Sequence, residues 1–109
     1  MRTLWLLAAA TLLAQNSPET TPDRKITFRL SPPKAESVAV VRGDMPGATP
    51  TFPMTKNADG LWETTVGPFT PGAYRYRFTV NGVTTVDPRN PASSESNNDI
   101  WSLALVPGS

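Results

Sequence analysis

Tyr74, Tyr76, Phe78 and Val80 fall at every second position, and Ala73, Arg75, Arg77 and Thr79 fill the gaps. A period of two puts successive side chains on opposite faces of a β-strand. The first set therefore lines a buried face and the second a wetter one. Asn81-Gly82 follows, the residue pair that most readily supplies the positive φ angles of a two-residue hairpin turn. The returning strand stops at Asp87-Pro88, because proline has no backbone N–H to give to a ladder. A stretch this strongly patterned commits the chain to a sheet with one side packed against a core.

The rest of the sequence has the same character. Lys25 to Leu30 alternates, with Ile26, Phe28 and Leu30 inward. Ser37 to Val41 reads as a second strand, with Val38 and Val40 on one face. Gly43 to Pro50 is too rich in glycine and proline to be helical. Thr51 to Met54 suits only an edge strand, because Pro53 forbids a central one. Asn57 to Gly60 is a turn, and Leu61 to Val66 a strand with Trp62, Thr64 and Val66 on one side. Ser93 to Asp99 reads as a polar loop. Ile100 to Val106 is the last strand, setting Ile100, Ser102, Ala104 and Val106 against Trp101, Leu103 and Leu105. About seven short strands without helical periodicity predict an all-β fold, an immunoglobulin-like β-sandwich spanning residues 24–106.

Ahead of it, Arg2 followed by the apolar run Leu4 to Ala14 reads as a secretory signal peptide over residues 1–14. The run is short of the about 20 residues of a membrane-spanning helix. Ala14 suits the last position before cleavage, although Leu12 is larger than the residue usually preferred two places earlier. Ala8-Ala9-Ala10 offers a second small-x-small site, and an N-terminal helix kept on the domain is the alternative. Residues 15–23, with Pro18 and Pro22, read as a linker. The expected location is secreted or periplasmic, with no membrane attachment after cleavage.

Composition excludes several functions. The chain has no histidine and no cysteine. A Ser-His-Asp or Cys-His site, a thiolate metal site and a disulfide framework are therefore ruled out. Lys and Arg number 10 against 9 Asp and Glu, too even a balance for the clustered cations that nucleic acid requires. Asp44, Asp59, Asp87 and Asp99 are scattered among loops without the spacing of a calcium loop. No catalytic residue, metal site or cofactor is expected.

Several segments together resemble an early-set immunoglobulin-like domain. They are Ile26 to Val38, Asp59-Gly60-Leu61-Trp62-Glu63, Pro71 to Tyr76, and Asn81-Gly82 with Asp87-Pro88-Arg89-Asn90-Pro91. Domains of this kind precede the catalytic domain of bacterial secreted esterases of the enterochelin- and feruloyl-esterase type. They are similar to the glycogen-binding module of the AMP-activated kinase β subunit and to isoamylase N-terminal domains. The resemblance implies a non-catalytic accessory domain with weak polysaccharide contact. Its partner would be an α/β-hydrolase domain, in cis or in trans, with residues 107–109 opening the linker toward it. No Gly-x-Ser-x-Gly nucleophile elbow occurs in the chain, so no esterase role falls on its residues. The alternatives are a stand-alone carbohydrate-binding module and a structural interaction domain.

Carried over by position, the glycan-binding lysine of the kinase module falls on Arg77, and its asparagine on Asn97 or Asn98. The two tryptophans fall on Thr84, which cannot stack, and within Asp44 to Pro53, where Phe52 is the one aromatic residue. Trp101 is added as a further ring, either exposed or packed on a partner. The candidate ligand residues are thus Arg77, Asn97, Asn98 and Trp101. Each also has a plainer reading. Arg75 and Arg77 serve as cross-strand charges opposite Glu63, Asn97 and Asn98 serve as turn formers, and Trp62 fills the core.

Overall fold

The computed structural model of the protein describes residues 17–47, 49–96 and 99–108. Residues 1–14, read as a signal peptide, lie outside them. Among the described residues ten strands follow in chain order: β1 (Glu19–Thr20), β2 (Ile26–Leu30), β3 (Val38–Arg42), β4 (Thr51–Pro53), β5 (Thr55–Lys56), β6 (Trp62–Val66), β7 (Gly72–Val80), β8 (Val83–Thr85), β9 (Ser93–Ser96) and β10 (Asp99–Val106). They form two antiparallel sheets. The smaller has the order β1-β2-β6-β5, and the larger β4-β3-β7-β10-β9, with β8 on the β7 edge. The expected immunoglobulin-like β-sandwich is the fold, and no helix occurs among the described residues.

The alternation in β7 does what its period requires. Tyr76 and Phe78 are fully buried, while Arg75 and Arg77 point away from the core. Asn81 and Gly82 have φ values of 50° and 85°, the left-handed pair of a type I′ turn. They join Val80 to Val83 directly across the hairpin. Asn81 also fastens the turn to the chain before β3. Its Oδ1 accepts from the backbone N–H groups of Glu36 (2.8 Å) and Ser37 (3.1 Å).

The two layers meet on an aromatic cluster. Phe28 of the smaller sheet sits 4.6 Å from Tyr76 and 6.4 Å from Phe78, ring centre to ring centre. Ile26, Leu30, Trp62, Val38, Val40, Ala104 and Val106 close around it. Trp62 is a core residue, as its pattern predicts. Pro53 ends β4 at the sheet edge, opposite Ala39. The chain then crosses to the other sheet, where Thr55 pairs with Glu63.

Three sequence expectations change. Residues 15–23 were expected to be a linker, with order starting at Arg24. Within them Glu19 and Thr20 pair with Thr27 and Ile26 as an edge strand, and Ser17 is buried. The polar stretch from Ser93 is β9 and pairs with β10 from Ser102 to Asp99. Neither piece carries an apolar alternation, because each lies at a sheet edge and buries little. Glu63, placed opposite Arg75 or Arg77 on charge alone, faces Arg29. Arg29 bonds it at 3.2 Å and Glu19 at 2.6 Å, all on the smaller sheet.

Asp87 ties these pieces together. It is 2% exposed and both of its carboxylate oxygens accept hydrogen bonds. Oδ2 accepts from Tyr76 Oη (2.7 Å) and Ser17 Oγ (2.8 Å), and Oδ1 from the N–H of Arg89 (3.0 Å). Its own N–H donates to Ser102 Oγ at 2.8 Å. Asn90 Nδ2 donates both to Tyr76 Oη and to the carbonyl of Leu103. A buried carboxylate persists only when its lost hydration is replaced in this way. Removing it leaves three donors, Tyr76 Oη, Ser17 Oγ and the N–H of Arg89, without their acceptor. Asp87→Ala is therefore expected to lower unfolding free energy by about 2–4 kcal/mol. Asp59→Ala, in an exposed turn, should stay within about 0.5 kcal/mol of the parent. Urea denaturation of both variants checks this, and equal effects would contradict it.

Burial, reinforced by the Asp87 carboxylate, raises the Tyr76 phenol far above the ordinary tyrosine value. An unfolded tyrosine ionises near pH about 10. The stability gained by keeping Tyr76 neutral is therefore complete below that pH and is lost as pH rises toward the folded value. The urea midpoint should fall with pH above about 10. Tyr76→Phe should remove the part of that fall due to this group. An unchanged alkaline slope in the variant would contradict the assignment.

Candidate functional site

The outward face of the larger sheet carries the predicted pair. Ser102 pairs with Tyr76 across β10 and β7, so the next residues outward, Trp101 and Arg77, are cross-strand neighbours. The Arg77 guanidinium carbon stands 3.7 Å from the centre of the Trp101 ring, a cation–π stack. Arg77 Nη1 is 3.9 Å from Asp99 Oδ1, a loose ion pair. Its Nε is buried and has no acceptor among the described residues.

Arg75, two residues earlier on the same face, is held more firmly. Its backbone N–H donates to Asp44 Oδ1 at 2.7 Å, and Nη1 to Asp44 Oδ2 at 3.1 Å. Nε reaches across β10 to Ser94 Oγ on β9 at 3.0 Å. The chain leaves β3 beside it through Gly43, whose N–H bonds the Arg75 carbonyl at 3.0 Å. A Cβ at Gly43 would lie 2.8 Å from Arg75 Cβ, so only glycine permits this approach. Arg42 turns its guanidinium onto the backbone carbonyls of Met45 (2.5 Å) and Thr49. Arg42, Gly43, Asp44, Arg75 and Trp101 line a shallow cavity of about 250 Å³.

The structure thus brings Arg77 and Trp101 together. Asn97 and Asn98 lie outside the described residues; the strands flanking them, β9 and β10, pair Ser96 with Asp99. Thr84 is exposed on β8, opposite Thr79, and offers no ring. Phe52 pairs with Val40 and packs against the core, so it cannot act as an outward platform on this face. Its ring instead helps line a separate apolar cleft of about 380 Å³ with Pro46, Val66, Pro68 and Phe69. Nothing in the sequence marks Asp44, Arg75 or Ser94 as members of the site. Arg75 shares the outward alternation of Arg77 and no more. Asp44 and Ser94 join only through the sheet order, which spacing does not encode.

Chemically, this surface combines an aromatic ring, guanidinium donors, one hydroxyl and two carboxylates. Rings of this kind pack against sugar C–H faces while polar groups bond hydroxyls. No group of three or more Asp or Glu side chains converges as a metal site among the described residues.

Comparison with known proteins gives the same direction. Residues 14–91 match the model of carbohydrate-binding module 48, the isoamylase N-terminal domain. Arg77 lies inside that span and Trp101 beyond it. Among solved structures, the type I pullulanase of Bacillus subtilis complexed with maltose is similar at 26% identity and a TM-score of 0.63, over 83% of this chain and 13% of that one. The pullulanase of Klebsiella pneumoniae complexed with maltotriose is similar at 25% identity and a TM-score of 0.65, over 90% and 10%. A pullulanase of Paenibacillus barengoltzii is similar at 27% identity and a TM-score of 0.55, over 78% and 14%. The chain covers less than a fifth of the length of each of these proteins. No curated protein sequence matches it significantly. With the match running through most of the sandwich, this chain belongs to carbohydrate-binding module 48, the isoamylase N-terminal domain family.

Proposed function

We propose that the domain holds polysaccharide on the outward face of its larger sheet and presents it to a glycoside hydrolase catalytic domain, outside the cytoplasm. The observation that carries this reading is the Trp101 ring stacked on Arg77 at 3.7 Å, on a module of a carbohydrate-binding, non-catalytic kind. The three similar solved structures named above are pullulanases, which favours a glycoside hydrolase as the neighbour. The α/β-hydrolase of esterase type expected from the sequence finds no support among them. The secreted or periplasmic setting rests on the apolar run Leu4 to Ala14.

A second reading has its own observation. On β10, Leu105 is 59% exposed and shares the outward face with Leu103 and Trp101, an apolar row suited to a protein partner. The two readings separate in native gels cast with polysaccharide. The parent domain should be retarded in at least one gel from a panel of neutral and acidic polymers. Trp101→Ala should weaken that retention by about tenfold or more, with its urea midpoint showing an intact fold. Free migration in every gel would overturn the binding reading and leave the docking one.

A further inference from the structure

We propose that this face recognises a single neutral hexose, free or as one unit of a chain, and draws no affinity from the sugars on either side of it. The inference rests on the binding reading above and specifies its ligand.

Charge does not favour an acid. Arg75 has Asp44 at 3.1 Å and Arg77 has Asp99 at 3.9 Å, so each outward cation has an anion of its own and the face is balanced. What remains to recognise a ligand is one ring and a few hydrogen-bonding groups. Among the described residues Trp101 is the single ring on this face; every other aromatic side chain lies in the core cluster or packs against it. Arg77 covers one side of the indole, and the side left over accommodates the C–H face of one sugar. A neighbouring sugar gains nothing comparable. The outward positions that follow Trp101 on β10 are Leu103 and Leu105, opposite Arg75 and Ala73, and neither side chain offers a ring or a hydrogen bond. On the other flank Trp101 pairs with Ser94 of β9, the last strand of the sheet.

The cavity has the matching size. Pockets for drug-sized ligands start at about 300 Å³. The one between Trp101, Arg75 and the turn Arg42-Gly43-Asp44 is about 250 Å³, room for one sugar ring. The turn has little freedom to withdraw, because the Gly43 N–H bonds the Arg75 carbonyl (3.0 Å) and Asp44 Oδ1 accepts from the Arg75 N–H (2.7 Å). Polar capacity remains beside it. Asp44 accepts two bonds from Arg75, and a carboxylate has lone pairs for more. Arg75 donates through Nε to Ser94 and through Nη1 to Asp44, which leaves its other guanidinium N–H groups open. An acceptor beside a donor fits two adjacent hydroxyls, and every hexopyranose ring carries such a pair.

NMR titrations followed at the Trp101 indole N–H test this, with methyl α-glucoside, methyl α-mannoside, methyl β-galactoside and maltoheptaose. At least one methyl glycoside should bind, and maltoheptaose should be no more than about tenfold tighter than methyl α-glucoside, the gain expected from its several equivalent units. Raising ionic strength should leave these affinities unchanged; a marked fall would overturn the neutral assignment. Asp44→Asn should weaken binding of the glycoside by about fivefold or more, and an unchanged affinity would overturn the placement in this cavity. Leu105→Ser should leave maltoheptaose binding as it is, with urea midpoints confirming that both variants fold. Maltoheptaose more than about tenfold tighter than methyl α-glucoside, or weakened by Leu105→Ser, would mean a chain running along the sheet and would overturn the single-sugar inference. Silence toward every methyl glycoside, with a polymer still retained in the native gels, would overturn it too and leave the binding module standing. Silence in both experiments would remove both.

Discussion

Burying the Asp87 carboxylate deprives it of water that only a full set of donors can replace, and the sandwich is arranged to supply them. Tyr76 comes from the central strand of the larger sheet, Ser17 from the start of the described chain, and Arg89 from the loop that follows. Ser102, on the neighbouring strand, takes up the Asp87 N–H. The Ser17 hydroxyl also accepts from the N–H of Arg29 in the smaller sheet, at 3.1 Å. One anion therefore links both layers and segments 70 residues apart. Because an unmet partner in this interior is so unfavourable, the loop from Asp87 to Pro91 has little freedom to adopt another path.

That constraint fixes the outer surface as well. With Tyr76 held inward, its neighbours Arg75 and Arg77 must face out, and with Ser102 held inward, Trp101 must do the same. The polar knot inside thus sets the register that places Arg77 under the indole ring outside. The cation–π stack and the Arg75 bridge from Asp44 to Ser94 then give this face a fixed shape before any ligand arrives. Little ordering is left to oppose binding.

Much of this fold was legible because alternation is a direct consequence of strand geometry. β2 and β7 each put their apolar set where a period of two predicts, and Asn81-Gly82 names its own turn; β10 is apolar on both faces, so its pattern alone does not say which one is buried. The polar edges were not legible. β1 and β9 bury too little to leave a pattern, and nothing in Ser93 to Ser96 separates an edge strand from a loop. Asp87 read as the end of a ladder, since an aspartate before proline gives no sign of being buried. Arg29 was missed as the partner of Glu63 because pairing across strands depends on sheet order. The candidate site was half legible. Arg77 and Trp101 were named and are in contact, whereas Asp44 and Ser94 reach Arg75 only through the folded chain.

The central claim is that glycan contacts the outward face of the larger sheet around Trp101. Backbone amide shifts measured by NMR during titration with maltoheptaose locate any contact directly. The account predicts shifts concentrated at Asp44, Arg75, Arg77, Ser94 and Trp101. Shifts confined to the cleft around Phe52 and Phe69, or to the smaller sheet around Arg29 and Glu63, would contradict it.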